Sequence, residues 1–503
     1  MIFSSVIFLF FFLPFAWSIY YLSWKKWQNL ILLLASLIFY IWGGREQVFV
    51  LFLSILLNYL VGVSFHLIDS VTAGGRLGFD SAGTDHSQLN LLPFRKLLLV
   101  LGITLNLGIL TFYKYINFLV DNLNLSLAWF DFPSIAMAKV MAPLGISFFT
   151  FHALSYLMDM YRYDAAPQRN LLKLALYFAV FPKILAGPIL KYRDAESQLG
   201  DRRAAPQTHL VAIQRFIIGL GKKVLIANPL AIVVDKIFAV PASELGFDVA
   251  WVGIICFTLQ IYFDFSGYTD MAIGLGKAFG FEFPENFNYP YLSQSIREFW
   301  RRWHISLSVW FRDYLYIPLG GNRCSVSRQY WNLIIVFLLC GLWHGASWNF
   351  IVWGLWYGLF LVLERMKIGR FLESAWRPLR HLYALVVIVI GWVPFRADSL
   401  SHALQYLQAM SGLNGTVSGQ YYLAQYVDHE LVFTLAVGAV AAVPAATLFR
   451  RLTSSFAESP GNLSQTIAYG ISLAHIALLG LLFLLSCAAV AVGTYSPFIY
   501  FKF

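Results

Sequence analysis

Charged residues are scarce in this chain. Only 12% of its 503 residues are Asp, Glu, Lys or Arg, whereas a soluble globular chain contains about 25%. Apolar segments follow one another along the chain with no soluble domain between them, and the mean hydropathy is +0.66. The composition therefore excludes a string of soluble domains and predicts a polytopic membrane protein.

Cysteine and the common cofactor motifs are also scarce. The four cysteines have no metal-like spacing, and three of them lie in apolar segments, so we interpret them as packing residues rather than a disulfide framework. A Rossmann fingerprint, a Walker P-loop and a zinc-type HExxH are absent. We therefore expect no metal site, and the missing P-loop argues against ATP-driven transport by this chain alone.

The basic residues that are present give a net charge of +10. They cluster in short stretches between apolar runs, which is typical of the positive-inside pattern of membrane proteins and does not indicate a nucleic-acid partner. Some of them can also meet anionic head groups or an anionic cofactor. The main pairs are Lys25 with Lys26, Arg95 with Lys96, Arg202 with Arg203, Lys222 with Lys223, and Arg450 with Arg451.

The apolar segments predict an all-α membrane protein. A span needs roughly 20 apolar residues, so we expect about eleven transmembrane helices, with re-entrant and interfacial helices around a central cavity. Residues 172–190 contain Lys183, Gly187 and two prolines, which favours a re-entrant hairpin over a plain span. We expect residues 1–503 to form a single integral-membrane domain that ends in an aromatic motif at 496–503.

Trp343-His344-Gly345 is the most informative motif. His344 is the only acidic or basic side chain between Asn332 and Glu364, and such a residue at membrane depth is by default a candidate functional site. The segment is too long for one helix, and we expect breaks near Gly341, Gly345 and Ser347. The motif therefore predicts a histidine beside a cavity. The alternative is a core histidine bonded to a backbone carbonyl.

Residues 281–323 interleave charge with aromatic rings. The pattern predicts an amphipathic helix from Ser295 at the membrane interface, with tryptophans at head-group level. Three basic residues would share one face of this helix: Arg297, Arg301 and His304. The two tryptophans that would flank this face are Trp300 and Trp303.

Two acids, Asp264 and Asp270, lie inside the apolar run from Trp251 to Phe279. Acids at membrane depth usually pair with a base or face water. We favour structural pairing over a direct role in function. The candidate partners are Lys183, Arg297 and Arg301.

Several long segments carry a family resemblance. REFWRRWHISLSVWFRDYLYIPLGGNR, followed by GLWHGASWNFIVWGLWYG, resembles the membrane-bound O-acyltransferase family, in its bacterial alginate O-acetyltransferase-like branch. The opening MIFSSVIFLFFFLP and the segments APLGISFFTFHALSYLMD, FPKILAGPI and DFSGYTDMAIGLGKAFGFEFPENFNYPY are similar to the same branch. The resemblance covers essentially the whole chain.

The resemblance implies an enzyme of the bacterial inner membrane that crosses it several times. Such an enzyme takes an acetyl group from a cytoplasmic donor, acetyl-CoA, and holds no permanently bound cofactor. It delivers the group across the membrane to an extracytoplasmic polysaccharide, alginate first, with a periplasmic acetyltransferase as partner. Cellulose, peptidoglycan or another glycan are alternative acceptors.

The resemblance also assigns catalytic residues. It places the family's histidines on His344 and His304, and an acyl-relay tyrosine on Tyr500 in the final SPFIYFKF. The alternatives are an interfacial histidine supporting its helix for His304 and an aromatic membrane anchor for Tyr500.

Acyl transfer needs a base for the hydroxyl proton, donors for the oxyanion and exclusion of water, and imidazole suits the first need. His344 is the candidate base, and Trp343 and Trp348 are candidate walls. Asn349, Ser347 and backbone N–H groups are candidate oxyanion donors. The candidate binders of the CoA phosphates are Arg297, Arg301 and Arg302.

Two other classes of function remain open at this point. One is a transporter or flippase without acyl chemistry, although the internal repeats that are common in transporters are not visible. The other is a structural scaffold for a synthase complex.

Overall fold

The computed structural model describes residues 1–44, 47–77, 92–200, 202, 206–414, 419–444 and 462–493. Over these ranges the chain forms α-helices, joined or extended by short π- and 3₁₀-helical stretches, and contains no β-strand. The predicted all-α fold is confirmed. The chain divides into two compact units, one formed mainly by Ile7–Ala205 and the other by Pro206–Ala278 with the residues from Glu285 onward.

The first unit contains nine α-helices in its described residues. They are α1 Leu13–Leu22, α2 Lys25–Gly43, α3 Val48–Leu77, α4 Leu92–Leu110, α5 Ile116–Ala128, α6 Ile146–Tyr161, α7 Leu171–Ala179, α8 Phe181–Ile184 and α9 Tyr192–Ala195. A π-helical stretch, Thr111–Tyr115, joins α4 to α5.

Polar contacts fix helices α3 and α4 of this unit. The buried amides of Asn58 and Asn106 exchange hydrogen bonds of 3.0 and 3.1 Å between the two helices. Arg95, one of the basic residues that cluster between apolar runs, is buried, pairs with Asp69 and donates to the carbonyl of Met160 at 2.9 Å. These polar side chains therefore find hydrogen-bond partners inside the protein, which the hydrocarbon of a bilayer could not supply.

The segment 172–190 is built from short helices. Helix α7 ends at Ala179, and α8 is only four residues long and starts with Phe181 and Pro182. Neither helix approaches the roughly 20 residues of a span. A plain span is therefore excluded, and the re-entrant path stays a prediction.

The second unit contains twelve α-helices in its described residues. They are α10 Pro206–Gly221, α11 Asn228–Phe238, α12 Phe247–Ala278, α13 Ile296–Arg302, α14 Ile305–Phe311, α15 Val326–His344, α16 Trp348–Arg365, α17 Lys367–Ser374, α18 Arg377–Arg396, α19 Leu400–Met410, α20 His429–Ala441 and α21 Asn462–Ala491. A π-helical stretch, Lys222–Ala227, makes α10 continuous with α11.

Helices α10 and α12 pack backbone against backbone. A Cβ atom added at Gly219 would lie 2.6 Å from the carbonyl oxygen of Gly267, and one at Gly274 would lie 2.7 Å from the carbonyl oxygen of Ala212. Only glycine permits this approach, which is common between membrane helices because small residues maximise their contact. The close crossing places the acids of α12 beside the basic residues that follow α10.

The two acids of α12 pair with these neighbouring bases. The Asp264 carboxylate lies 2.5 Å from the Lys223 ammonium, and both side chains are at most 2% exposed. Asp270 pairs with Lys222 at 2.7 Å and with Arg215 at 2.7 Å. Structural pairing is thus confirmed, but the predicted partners were wrong. Lys222 and Lys223, which the sequence places in a positive-inside cluster, are the counter-ions of these two acids.

Three other predictions are corrected here. Eight helices in the described ranges are long and apolar enough to cross a membrane, fewer than the predicted eleven. Several apolar segments fold into shorter helices, among them α6 with 16 residues and α20 with 13. The polar, glycine-rich composition of residues 70–94 predicts an exposed loop, but both ends of this stretch are helical, since α3 continues to Leu77 and α4 begins at Leu92.

Candidate active site

His344 is the last residue of α15, at the tip of a tight pair of helices. A Cβ atom at Gly341 would lie 2.1 Å from the carbonyl oxygen of Phe350, and one at Gly354 would lie 2.2 Å from that of Phe337. Helices α15 and α16 therefore touch along their backbones just before the tip. The predicted breaks at Gly345 and Ser347 are confirmed, since α16 starts at Trp348, whereas α15 runs through Gly341 without a break.

Aromatic rings surround the imidazole of His344, which is only 5% exposed. Its ring centroid lies 4.9 Å from that of Trp343, 4.9 Å from that of Trp353 and 5.3 Å from that of Phe395, all edge-on. The prediction of a buried histidine is confirmed. The rings restrict water at the imidazole, which suits a base in acyl transfer, while a cavity beside it stays a prediction.

His304 does not lie on the face of a helix with the arginines. Helix α13 ends at Arg302, Trp303 is extended, and His304 adopts the left-handed conformation with φ 43° and ψ 55° before α14 begins. The predicted common face of Arg297, Arg301 and His304 is therefore wrong for the histidine. Trp300 and Trp303 are also buried, at 6% and 3% exposure.

Backbone hydrogen bonds on both sides hold this break. The Asn288 N–H donates to the Arg302 carbonyl at 3.0 Å, and the Ile305 N–H donates to the Asn286 carbonyl at 3.0 Å. The Asn286 side chain also accepts from the Ser306 hydroxyl at 2.6 Å. A left-handed non-glycine residue persists only where its surroundings fix it, and the segment at 286–288 supplies those surroundings.

The His304 imidazole is fully buried. Its ring centroid lies 4.7 Å from that of Phe265 and 6.1 Å from that of Trp343. Neither ring nitrogen has a hydrogen-bond partner among the described residues. Burial lowers the pKa of His304 to about 3, so the ring is neutral at pH 7. Trp343 contacts both histidines and brings them into one site.

Glu364 fixes the start of α13. Its carboxylate accepts hydrogen bonds from the backbone N–H groups of Ile296 and Arg297, at 2.5 and 3.0 Å. An acid is well suited to the unsatisfied N–H groups at the start of a helix. Helix α16 starts close to His344. Near its other end, Glu364 anchors the start of α13, the helix that precedes His304. The sequence reasoning missed this role, although Glu364 was visible as the acid that ends an apolar segment.

The three arginines have different surroundings. Arg302 pairs with Glu298 at 2.9 Å and donates to the Asn288 carbonyl at 3.0 Å. Arg297 and Arg301 are exposed, and neither has a side-chain hydrogen bond or ion pair within the described residues. Two of the three guanidiniums are therefore available to an anion, and the third is held within the protein.

The remaining predicted residues are spread around the tip. Asn349 is buried and donates to the Ala397 carbonyl at 2.6 Å. Trp348 is 53% exposed, in contrast to Trp343 at 4%. Tyr500 and the motif at 496–503 lie outside the described residues. Phe265, Trp353 and Phe395 belong to the site but are apolar residues in apolar segments, so no sequence signal distinguished them.

The chain is similar to known proteins over more than half of its length. Residues 127–401 match the model of the membrane-bound O-acyltransferase family. A protein of Azotobacter vinelandii named "Probable alginate O-acetylase AlgI" is 39% identical over 522 residues, covering 100% of both chains. The chain belongs to the membrane-bound O-acyltransferase family. The resemblance stated from the sequence is confirmed.

Two further relatives differ in their named acceptor. A Pseudomonas aeruginosa protein, also named "Probable alginate O-acetylase AlgI", is 43% identical over 82% of this chain and 75% of its own. The "Peptidoglycan O-acetyltransferase" of Helicobacter pylori is 36% identical over 82% of this chain and 80% of its own. The chain is thus a multi-pass membrane O-acyltransferase, which removes the transporter interpretation. Both histidines of this O-acyltransferase lie inside the family region, and Tyr500 lies beyond it.

Proposed function

We propose that this O-acyltransferase takes acetyl groups from cytoplasmic acetyl-CoA and delivers them across the bacterial inner membrane for O-acetylation of an extracytoplasmic polysaccharide, alginate. A periplasmic acetyltransferase is its partner. The observation that carries the proposal is the joint placement of His344 and His304 around Trp343, both buried and both within the family region. A water-restricted imidazole suits transfer of an acyl group to a hydroxyl.

His344 is the general base in this mechanism. It removes the proton of the attacking hydroxyl while the oxygen forms a bond to the thioester carbonyl carbon. The tetrahedral intermediate then collapses, the carbon–sulfur bond breaks, and the CoA thiolate leaves and takes up the proton. His304 acts from the other side of Trp343, where both its nitrogens can meet substrate because no described residue occupies them.

Exposed guanidiniums hold the donor in this proposal. Arg297 and Arg301 bind the CoA phosphates, since bidentate guanidinium contacts match phosphate oxygens. Arg302 supports them indirectly, because Glu298 already engages it. Asn349 uses one amide hydrogen on the Ala397 carbonyl, and its second hydrogen serves as an oxyanion donor. Trp343 forms the wall between the two histidines.

Tyr500 is the proposed relay. Its phenol oxygen attacks the acetyl thioester first, so an aryl ester forms and CoA departs with the phenol's proton. A hydroxyl of the periplasmic partner then attacks this ester, and the phenol is regenerated. Support for this step comes only from the resemblance of SPFIYFKF to the family's aromatic motif.

Alginate is the preferred acceptor because relatives that match the full length of the chain carry that name. Peptidoglycan is the second candidate, since a relative named for it matches 82% of the chain. Deletion of the gene in the host separates the two. Loss of ester acetate from the extracted exopolysaccharide, with peptidoglycan acetate unchanged, supports alginate, and the reverse result supports peptidoglycan.

His344→Ala tests the catalytic role. Because a positioned general base contributes roughly 10²–10⁴-fold, we expect the release of free CoA from labelled acetyl-CoA, and polymer O-acetylation, to fall by that order. The matched control is His429→Ala, which removes an exposed histidine from the start of α20. Both variants are compared at equal abundance in the membrane. Undiminished acetylation by His344→Ala would show that the base lies elsewhere.

A further inference from the structure

The first unit contains a cationic pocket remote in sequence from both histidines. It has a volume of about 200 Å³, and its wall includes Lys25, Lys26, Lys173 and Arg202 together with Asn29. Among the residues that the structure describes, no Asp or Glu lines it. We call it the basic pocket. Four cations around a small cavity repel one another unless an anion joins them.

The lysines of the basic pocket have no carboxylate partner in the described part of the chain. Lys25, Lys26 and Lys173 form no ion pair with any residue that the structure describes. The Lys26 ammonium lies 5.5 Å from the ring centroid of Trp24 and 5.7 Å from that of Trp27. This differs from Lys222 and Lys223, whose carboxylate partners lie within 2.7 Å.

Arg202 is held in place at the pocket wall. It donates to the carbonyls of Gln198, at 2.8 Å, and Phe279, at 3.3 Å, and to the side-chain oxygen of Asn29. The guanidinium carbon also lies 4.2 Å from the centroid of Phe281. These contacts orient the guanidinium at the pocket wall.

The pocket lies at the end of a membrane-spanning helix. Lys25 and Lys26 are the first residues of α2, which is long and apolar enough to cross the bilayer. Trp24 and Trp27 beside them are 74% and 46% exposed. Tryptophan at the end of a span lies at head-group level, and lysines there attract anionic lipid. The setting therefore favours a ligand that reaches the pocket from the bilayer surface.

We propose that the basic pocket binds a phosphate group, supplied by the head group of an anionic phospholipid. The lysines and Arg202 contact the phosphate oxygens, and the exposed tryptophans lie against the lipid around it. A soluble phosphate compound offers the same chemistry, and the experiment below separates the two sources. The proposal is independent of the catalytic assignment, because it involves none of the residues of the active site.

Native mass spectrometry of the full chain in detergent tests the proposal. The probes are phosphatidylglycerol, phosphatidylcholine and inorganic pyrophosphate. We compare Lys25→Gln/Lys173→Gln with the control Lys139→Gln/Lys236→Gln, which removes two exposed lysines outside the pocket. A lysine near an anionic lipid surface contributes about fivefold in affinity, so phosphatidylglycerol binding should weaken about 25-fold in the pocket variant. It should be unchanged in the control, and phosphatidylcholine should bind weakly to every form.

The other outcomes are equally decisive. If the pocket variant loses only pyrophosphate binding, the phosphate site stands and its ligand is soluble. If pocket and control variants bind both anions as the parent protein does, the proposal is wrong. Lys25→Arg/Lys173→Arg keeps the charge, so it should retain binding, and its failure to do so would also contradict the proposal. Thermal unfolding of each variant checks that the fold is intact.

Discussion

At the scale of single residues, the neutral imidazole of His304 gives a pH-dependent stability. Its pKa in the folded chain is about 3, below the unfolded value of about 6.5. The unfolded state therefore binds more protons between these values, and stability falls as the pH drops from about 6.5 towards 3. We expect the unfolding temperature in detergent to fall on acidification.

His304→Asn should flatten this dependence, since asparagine tolerates the left-handed conformation and does not titrate. The comparison is the difference in unfolding temperature between pH 7 and pH 5. His429→Asn, at an exposed position, should keep the slope of the parent protein. Parallel slopes for His304→Asn and the parent would contradict the assignment of His304 as a buried neutral group.

The buried pair of Lys223 and Asp264 predicts non-additive mutations. Removing one partner leaves an uncompensated buried charge, so Asp264→Asn should destabilise the protein by about 3–5 kcal/mol. The double variant Lys223→Met/Asp264→Leu should lose less than this, because both charges are gone. The free energy of unfolding of the parent protein, the single variant and the double variant is measured by denaturant titration. Glu298→Gln, in the partly exposed pair with Arg302, should cost under about 1 kcal/mol.

A double variant that loses as much stability as Asp264→Asn, or more, would show that an uncompensated charge on Lys223 is not the cause of the loss. The sequence predicted that Asp264 is paired, because an acid in an apolar run needs a base. It did not identify Lys223, since the contact depends on how α10 and α12 cross. The glycines that bring the two backbones together could not be recognised as contacts from one sequence.

At the scale of helices, the contact between α15 and α16 positions His344. A Cβ at Gly341 would meet the backbone oxygen of Phe350 at 2.1 Å, and backbone cannot move aside as a side chain can. Gly341→Ala should push the helices apart one turn before His344. We expect activity to fall at least about tenfold, since a displacement of 1 Å can cost about 10²-fold, and stability to fall by about 1–3 kcal/mol.

The matched control is Gly480→Ala in α21, where an added Cβ meets nothing within 4 Å. Acetyl-CoA turnover and thermal unfolding are measured for both variants. Normal turnover by Gly341→Ala would mean that the close contact does not position the histidine.

The active site could be predicted from the sequence only in part. His344 was evident because an isolated basic residue in an apolar segment has few structural explanations. His304 was recognised through the family motif, but helical periodicity placed it wrongly. Periodicity assumes that a helix continues, and here hydrogen bonds from residues 286–288 stop α13 at Arg302. Trp353, Phe395 and Phe265 could not be recognised, because packing and not residue type brings them to the site.

At the scale of the whole molecule, composition was sufficient for the fold class but not for the number of spans. Apolar content predicted an all-α, multi-pass protein. The described residues contain eight helices long and apolar enough to cross a membrane, against the predicted eleven, because the apolar segments at α6 and α20 form helices of only 16 and 13 residues. Helix α6 is buried within the protein over nearly its whole length, and hydropathy does not distinguish a protein interior from lipid.

The proposed delivery of acetyl across the membrane involves the entire chain, and Tyr500 provides its most direct test. A relay requires a phenol oxygen, so Tyr500→Phe should abolish polymer acetylation while leaving the protein's abundance and its binding of acetyl-CoA unchanged. After brief exposure to labelled acetyl-CoA, peptide mapping should find the label on the parent protein's Tyr500 and not on the variant. Tyr469→Phe is the control, since Tyr469 is 76% exposed on α21.

A fully active Tyr500→Phe protein would exclude the relay and leave His344 to act directly on the partner's hydroxyl. An active-site loss would look different: His344→Ala should leave Tyr500 unlabelled, whereas loss of the partner should let the label accumulate there.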